Sequence, residues 1–287
     1  MLFLKACRSR KCSPRYFLFR SKISIEGGCL LQVAQTDEIE LFISTEKKIA
    51  YPKHLINFQK PGTGVWAVDL LLGSNAESID LGTIKTIASS RESNTLHVKD
   101  PVAFNAADGT TELLYCNHPF SWSSSNTGLT RRKKHEDSFQ HFSDSVLARG
   151  NSWDVACSRI TERLQIPKIG SFSDIPDLSL YFYDGAECLR SLDQNPQAAK
   201  RPRGYSCEEL GGLAWGWDAE FPNIHPISTE FPLFISPHGT GCSRYVSSIF
   251  LHNEDLLATW QQAQPDGSQP LVANQLEKSE VHRILSN

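Results

Sequence analysis

The sequence predicts an all-β fold built from repeated strand units, and among the architectures open to such a chain it favours a propeller. Three observations carry this. Apolar residues recur with period two in many short segments; an Asp-Gly turn joins two of them; and several units open on polar residues.

Taken in order, Leu30–Val33 and Ile39–Ile43 read as two strands joined by the polar turn Gln35–Glu38. Val65–Leu71 follows the Gly-rich opening Pro61-Gly62-Thr63-Gly64. Val102–Phe104 and Glu112–Tyr115 flank Ala107-Asp108-Gly109, and Asp-Gly supplies the positive φ that a tight hairpin needs. Trp153–Ile160, Leu178–Tyr183, Leu213–Trp217, Arg244–Leu251 and Leu256–Gln261 continue the series. Three stretches read as helical or turn-like: Ala186–Asp193, Asn253–Asp255 and Glu277–Leu285. Two long polar segments, Ser121–Ser145 and Gln194–Arg203, read as solvated loops. The run Arg131-Arg132-Lys133-Lys134-His135 in the first of these has a sharper alternative, a basic patch for phosphate or an anionic polymer.

Many short strands and few helices fit a sandwich, a barrel or a propeller. The repeat decides among them. Strand pairs open at Asp100-Pro101, at Tyr183-Asp184-Gly185 and at Ser243-Arg244-Tyr245. In a propeller the first residues of the inner strands converge on one funnel, so polar groups there, costly to bury unless paired or used, are informative.

The 287 residues carry 29 basic and 32 acidic side chains, and this near-balance argues against nucleic acid as a partner. No stretch approaches the ~20 apolar residues of a membrane-spanning helix. The eight cysteines form no CxxC pair; Cys116, Cys157, Cys188, Cys207 and Cys242 sit singly among apolar or small residues, as buried thiols do. A reducing, cytoplasmic compartment fits them. Residues 1–22 hold seven basic residues and no acidic one. Residues 1–25 are therefore set apart as an organelle-targeting peptide, an over-extended reading frame or a disordered tail, and 26–287 as a single propeller domain. The nine histidines form no HxH or HExxH cluster, and P-loop, GxGxxG and GxSxG patterns are missing, so neither metal nor cofactor is expected.

Chemistry is expected from carboxylates. Asp100, Asp154, Asp184, Glu187, Glu208 and Glu209 are the candidates, with Asp100 and Asp184 favoured because both lie at ends of apolar strands. Asp184 has an alternative as the start of a turn with Gly185. Trp122, Trp153, Trp215, Trp217 and Tyr183 lie near these motifs, where flat rings stack on sugar faces; Trp66 and Trp260 are assigned to core packing. His238 and Arg244 are candidates for binding a substrate hydroxyl or carboxylate, and Arg244 has an alternative as the structural partner of a buried carboxylate.

From about residue 95 to residue 275 the chain resembles the five-bladed β-propeller glycosidases of the arabinanase, levansucrase and invertase group. The residues responsible are Val98-Lys99-Asp100-Pro101-Val102, Leu180–Gly185, Glu208–Ala214, and Arg244-Tyr245-Val246 with the downstream Gln264–Ser268. The resemblance implies a five-bladed propeller acting on an oligo- or polysaccharide through carboxylate acid/base catalysis, with a non-catalytic glycan- or protein-binding propeller as the alternative. It implies that Asp100, before Pro101 at a blade start, is an auxiliary carboxylate near the sugar; among the catalytic candidates beside it are Asp184 and, for the general acid, Glu209 or Glu187. From the residues themselves, the candidates for substrate contact are Asp154, Trp153, Tyr183, Trp215, His238, Arg244 and Tyr245. These enzymes carry an Asp in the first blade as nucleophile or base; residues 28–70 offer Asp37 or Asp69 in no matching context, so either the first blade is incomplete or degenerate, or the start of the reading frame is misplaced, or catalysis has been lost.

Overall fold

The computed structural model describes residues 22–287 except 34–35, 60–61, 91, 121–123, 188–189, 192–204, 207–208 and 240. Glu208, Trp122, Cys188, Cys207, most of the N-terminal basic segment and the loop 194–203 lie outside the described residues.

The chain divides into two compact units, Met1–Ser121 with Thr130–Phe142, and Trp122–Leu129 with Ser143–Asn287. The first sheet has the order β1 (Lys22–Gln32), β2 (Ile39–Lys47), β3 (Val65–Gly73) and β4 (Ile79–Ser89). The second runs β5 (Leu96–Asn105), β6 (Thr111–His118), β7 (Asn126–Arg132) and β8 (Gln140–Ser143). Next come β9 (Cys157–Gln165), β10 (Leu178–Ala186), the short pair β11 (Arg190–Ser191) and β12 (Tyr205–Ser206), then β13 (Leu210–Trp217) and β14 (His225–Pro226). Of these, β9, β10, β13 and β14 form the third sheet in that spatial order. The fourth has three strands, β15 (Ser243–Phe250), β16 (Leu256–Gln262) and β17 (Leu271–Leu276), and the chain ends in helix α1 (Lys278–Leu285).

Four blade-like antiparallel sheets are thus present among the described residues, not the five expected. The first has all four strands, so the incomplete first blade expected from residues 28–70 is also corrected. The sequence signal missed β4 because its apolar positions are only half covered, with no fully buried residue along it. The segment Ser121–Ser145 is not a loop: it supplies β7 and β8. Its basic run is divided between roles. Arg131 Nε donates to Glu112 Oε2 at 2.7 Å, and Arg132 reaches both oxygens of Glu40 at 2.6 and 2.8 Å, while Lys133, Lys134 and His135 are exposed. Glu40 and Glu112 are each 4% exposed, and a buried carboxylate requires such a partner. Where Ala186–Asp193 is described it is not helical: β10 runs to Ala186 and β11 is Arg190–Ser191, while 188–189 and 192–193 lie outside the described residues. The strand expected at Trp153–Ile160 begins at Cys157.

The hairpin at Asp108-Gly109 forms as expected. Gly109 has φ +83°, and the Thr110 N–H donates to Asp108 Oδ1 at 2.9 Å. In the first unit the core collects Phe42, Val68, Leu70, Val98, Ala103, Leu113 and Tyr115. Every residue of Val65–Leu71 is buried, as for a strand covered on both faces. That includes Asp69, which is neutralised by Lys47 at 2.9 Å and accepts hydrogen bonds from Thr45 (2.8 Å) and Thr86 (2.6 Å).

Candidate functional site

The first unit places Asp100 at an irregularity of β5. Pairing of β5 with β6 slips between Leu96 and Lys99 and again between Lys99 and Val102, and Asp100 has φ +55°. Bulges of this kind re-aim side chains and occur next to active sites. Strand β1 slips likewise between Glu26 and Gly28, with Gly27 at φ +48°. The two irregularities meet. The Asp100 N–H donates to Ser44 Oγ at 2.7 Å, and a Cβ added to Gly27 would lie 3.2 Å from Asp100 Oδ1. Lys99 Nζ stands 3.6 Å from Glu26 Oε2 and 3.7 Å from Asp100 Oδ2, and 5.6 Å from the centre of the Trp66 ring. The Asp100 side chain is 10% exposed and that of Glu26 50%. This is a half-open pair of carboxylates bridged by one ammonium.

The second unit gathers Asp184, Glu209, Arg244 and Tyr245. Asp184 on β10 lies directly across from Arg159 on β9, so register alone puts the two side chains on one face. Arg159 Nη2 reaches Asp184 Oδ2 at 2.6 Å and Glu209 Oε1 at 2.9 Å, and Arg244 Nη1 holds the other oxygen of Glu209. The bulge of β15 between Arg244 and Ser247 holds Tyr245 at φ +55°, which turns its N–H onto both Asp184 oxygens at 3.1 and 3.2 Å. The Tyr245 ring lies 4.4 Å from the Arg159 guanidinium and 4.8 Å from that of Arg244. Burial pushes the Asp184 carboxyl up, to about 7, with the Arg159 charge opposing and the Glu209 charge adding to the shift. Two carboxylates and two guanidiniums, all closed to solvent, compensate one another. Such a group holds three strands and a loop residue in register.

Tyr183 precedes Asp184 on β10 and therefore faces the other side of the sheet. It stacks on Trp153 with ring centres 5.5 Å apart, and its hydroxyl lies 3.1 Å from Asp154 Oδ2. Gly185 and Gly212 make room for that stack: a Cβ at Gly185 would fall 2.3 Å from the Trp153 ring. Trp153 and Tyr183 are 4% and 1% exposed, so they pack inside the sheet instead of offering a face to a sugar. Trp215 pairs with Leu180, four residues along the strands from the Asp184–Gly211 pair and so about 13 Å from it. It meets Trp217 and His225 instead, at 5.6 and 5.0 Å. Glu187 is exposed just beyond β10. His238 is half-buried in the loop before β15, its N–H on Ser236 Oγ at 3.2 Å.

Sequence reasoning missed Arg159, Glu26 and Ser44. Arg159 had a signal, a lone cation in Cys157–Ile160 facing a lone acid in the next strand. Glu26 had one as well, since Gly27-Gly28 in an apolar strand marks a bulge. Among the described residues no group of three or more His, Cys, Asp or Glu side chains is placed to hold a metal ion, and no helix is long and apolar enough to cross a membrane.

These sheets define a protein of the β-propeller class, with the fold seen in glycoside hydrolases. A protein assigned as a glycosidase from Bacteroides thetaiotaomicron superposes with a TM-score of 0.54 at 10% identity, covering 91% of this chain and 71% of that one. A thermostable family-43 glycoside hydrolase gives 0.52 at 14% identity, with 88% and 71% covered. A xylan β-1,4-xylosidase from Bacillus halodurans gives 0.51 at 13%, covering 89% of this chain and 41% of the xylosidase. No protein-family model matches the sequence, and no curated protein matches it.

Proposed function

We propose that the chain is a carbohydrate-active protein of the glycoside-hydrolase type, and that Asp100 and Glu26 are its working carboxylates. The observation that carries this is the Lys99 ammonium, 3.6 Å from one carboxylate and 3.7 Å from the other. Those two oxygens are at most about 7 Å apart, a reach compatible with the roughly 5–9.5 Å separations of glycosidase carboxyl pairs. One carboxylic acid of such a pair protonates the leaving oxygen of the glycosidic bond. The other attacks the sugar carbon or takes a proton from the attacking water. The half-exposed Glu26 side chain offers a route to solvent and substrate, and the bulge aims Asp100. Asp184 and Glu209 are assigned to positioning, since guanidiniums hold both. The fold likeness to a family-43 glycoside hydrolase and a xylosidase supports an oligosaccharide as substrate.

A second reading is a glycan-binding propeller without turnover. It is favoured by the complete charge compensation among Arg159, Asp184, Glu209 and Arg244, which leaves the second unit's best-defined acids without an open role.

The test is hydrolysis of a panel of aryl glycosides and plant oligosaccharides by the wild-type chain, Asp100→Asn and Glu26→Gln, with binding followed by calorimetry. Turnover lowered in both variants by about 10²-fold or more, with unchanged melting, supports the enzyme. Binding without turnover supports the second reading, and turnover unaffected in both removes Asp100 and Glu26 from the chemistry.

A further inference from the structure

We propose that Asp154 and Tyr183 form a proton-operated latch that fastens the strap Ile227–Thr229 to the third sheet. The Tyr183 hydroxyl stands between two oxygens, Asp154 Oδ2 at 3.1 Å and the Ser228 carbonyl at 3.2 Å. A phenol carries one hydrogen and so serves one acceptor at a time. The remaining hydrogen has one local source. If Asp154 is a neutral acid, its O–H donates to Tyr183 Oη, and the Tyr183 O–H donates to the Ser228 carbonyl. The Trp153 Nε1–H already donates to that carbonyl at 2.9 Å, so the closed latch gives it two donors. When the proton leaves Asp154 for solvent, the Tyr183 hydroxyl turns to the carboxylate and Ser228 keeps Trp153 alone.

The surroundings favour the neutral acid. Asp154 is 3% exposed, and its Oδ1, turned towards Gly150, accepts no hydrogen bond of good geometry. Burial is the largest influence and pushes its carboxyl up from the ordinary carboxylate range, with the Tyr183 hydrogen bond and the backbone N–H groups of Asp154 and Gly150 opposing. Tyr183 is the titratable group in contact from β10. Asp184, next on that strand, is turned to Arg159 and Tyr245 on the opposite face. From the strap side Glu230 is exposed, and on its own loop Arg149 is exposed. No guanidinium or ammonium among the described residues pairs with Asp154 to hold it ionised. The strap is also tied by the Ile227 N–H to the Leu213 carbonyl (2.8 Å) and by the Leu213 N–H to Ser228 Oγ (3.1 Å). It leads into a segment whose Phe231, Leu233 and Ile235 side chains are exposed.

The latch is independent of the proposed hydrolase reading and is tested without any substrate. Melting temperatures of the full chain are measured from pH 4 to 8 for the wild type, Asp154→Asn, Asp154→Ala and Tyr183→Phe. An Asn amide donates to Tyr183 as the neutral acid does, so Asp154→Asn retains most of the stability that Asp154→Ala loses. The wild type should lose stability relative to Asp154→Asn as pH rises, with a midpoint above the ordinary 3.8. The contribution of Asp184 is common to both and cancels in the difference. A flat difference, or a midpoint at or below 3.8, overturns the latch. Should Asp154→Asn fail to fold, amide exchange at Ile227 decides, after correction for the intrinsic pH dependence. It should quicken several-fold with rising pH in the wild type and not in Tyr183→Phe; the same quickening in both overturns the proposal.

Discussion

Arg159 and Asp184 face each other across β9 and β10 with Nη2 and Oδ2 2.6 Å apart, and their side chains are 3% and 1% exposed. The same guanidinium reaches Glu209 at 2.9 Å, so one cation from the third sheet bridges two acids, the second of which Arg244 also holds.

Removing that cation leaves the buried Asp184 without its guanidinium and Glu209 with that of Arg244. Arg159→Ala is expected to destabilise the chain by about 3–5 kcal/mol, the range for breaking a buried pair, read as a lower urea midpoint. Arg159→Lys should recover part of this, because an ammonium keeps the charge but not the forked geometry. An unchanged midpoint in Arg159→Ala would show the carboxylates to be hydrated in solution.

Asp184 gives the fold a pH dependence of a definite sign. Its carboxyl is raised from 3.8 to about 7, so the folded chain holds this proton more tightly than the unfolded one. The stabilisation it brings is complete below about pH 4 and is lost as pH rises through about 7. Asp184→Asn should flatten the curve of melting temperature against pH across that window. A wild-type curve that rises there, with Asp184→Asn removing the rise, would contradict the assignment.

Gly27 is required by conformation and by space together. At φ +48°, and with an added Cβ 3.2 Å from Asp100 Oδ1, Gly27→Ala should cost about 1 kcal/mol or more and push the Asp100 carboxylate aside. Turnover or glycan binding should fall with it, whereas Gly62→Ala, at φ +75° with open space around it, should lose stability alone. Equal loss of function in the two variants would separate Asp100 from the working site.

Gly185 has no such freedom to give, because a Cβ there would overlap the Trp153 ring at 2.3 Å and Asp154 Cβ at 2.7 Å. Gly185→Ala should therefore destabilise by about 1–3 kcal/mol through overpacking and blue-shift or broaden the Trp153 emission change on unfolding. Trp215→Ala, about 13 Å along the sheet, should leave the Asp184 group and its pH dependence intact.

Period two and turn chemistry made most strands legible: β2, β3, β10, β13, β15 and β16 overlap the segments that alternation marks, and Gly109 turns the hairpin that Asp-Gly announces. Legibility failed where polar strands carry their own partners. Strands β7 and β8 lie in a basic, Ser-rich stretch that looks solvated until Glu40 and Glu112 are seen to take up Arg132 and Arg131.

By itself, then, the sequence determined an all-β chain of repeated units with Lys99-Asp100-Pro101, Asp184 and Arg244 at polar positions, because alternation, turns and isolated charges are local properties. The tertiary structure decided what those charges do. Among the described residues it set the number of blade-like sheets at four, gave Asp100 its neighbours Glu26 and Ser44, and sent Trp153 and Tyr183 inward. It also drew Asp184 and Glu209 into the grip of Arg159 and Arg244. The physical reason is that a side chain's partner is fixed by strand register and bulges between segments far apart in the chain, where no local pattern reaches.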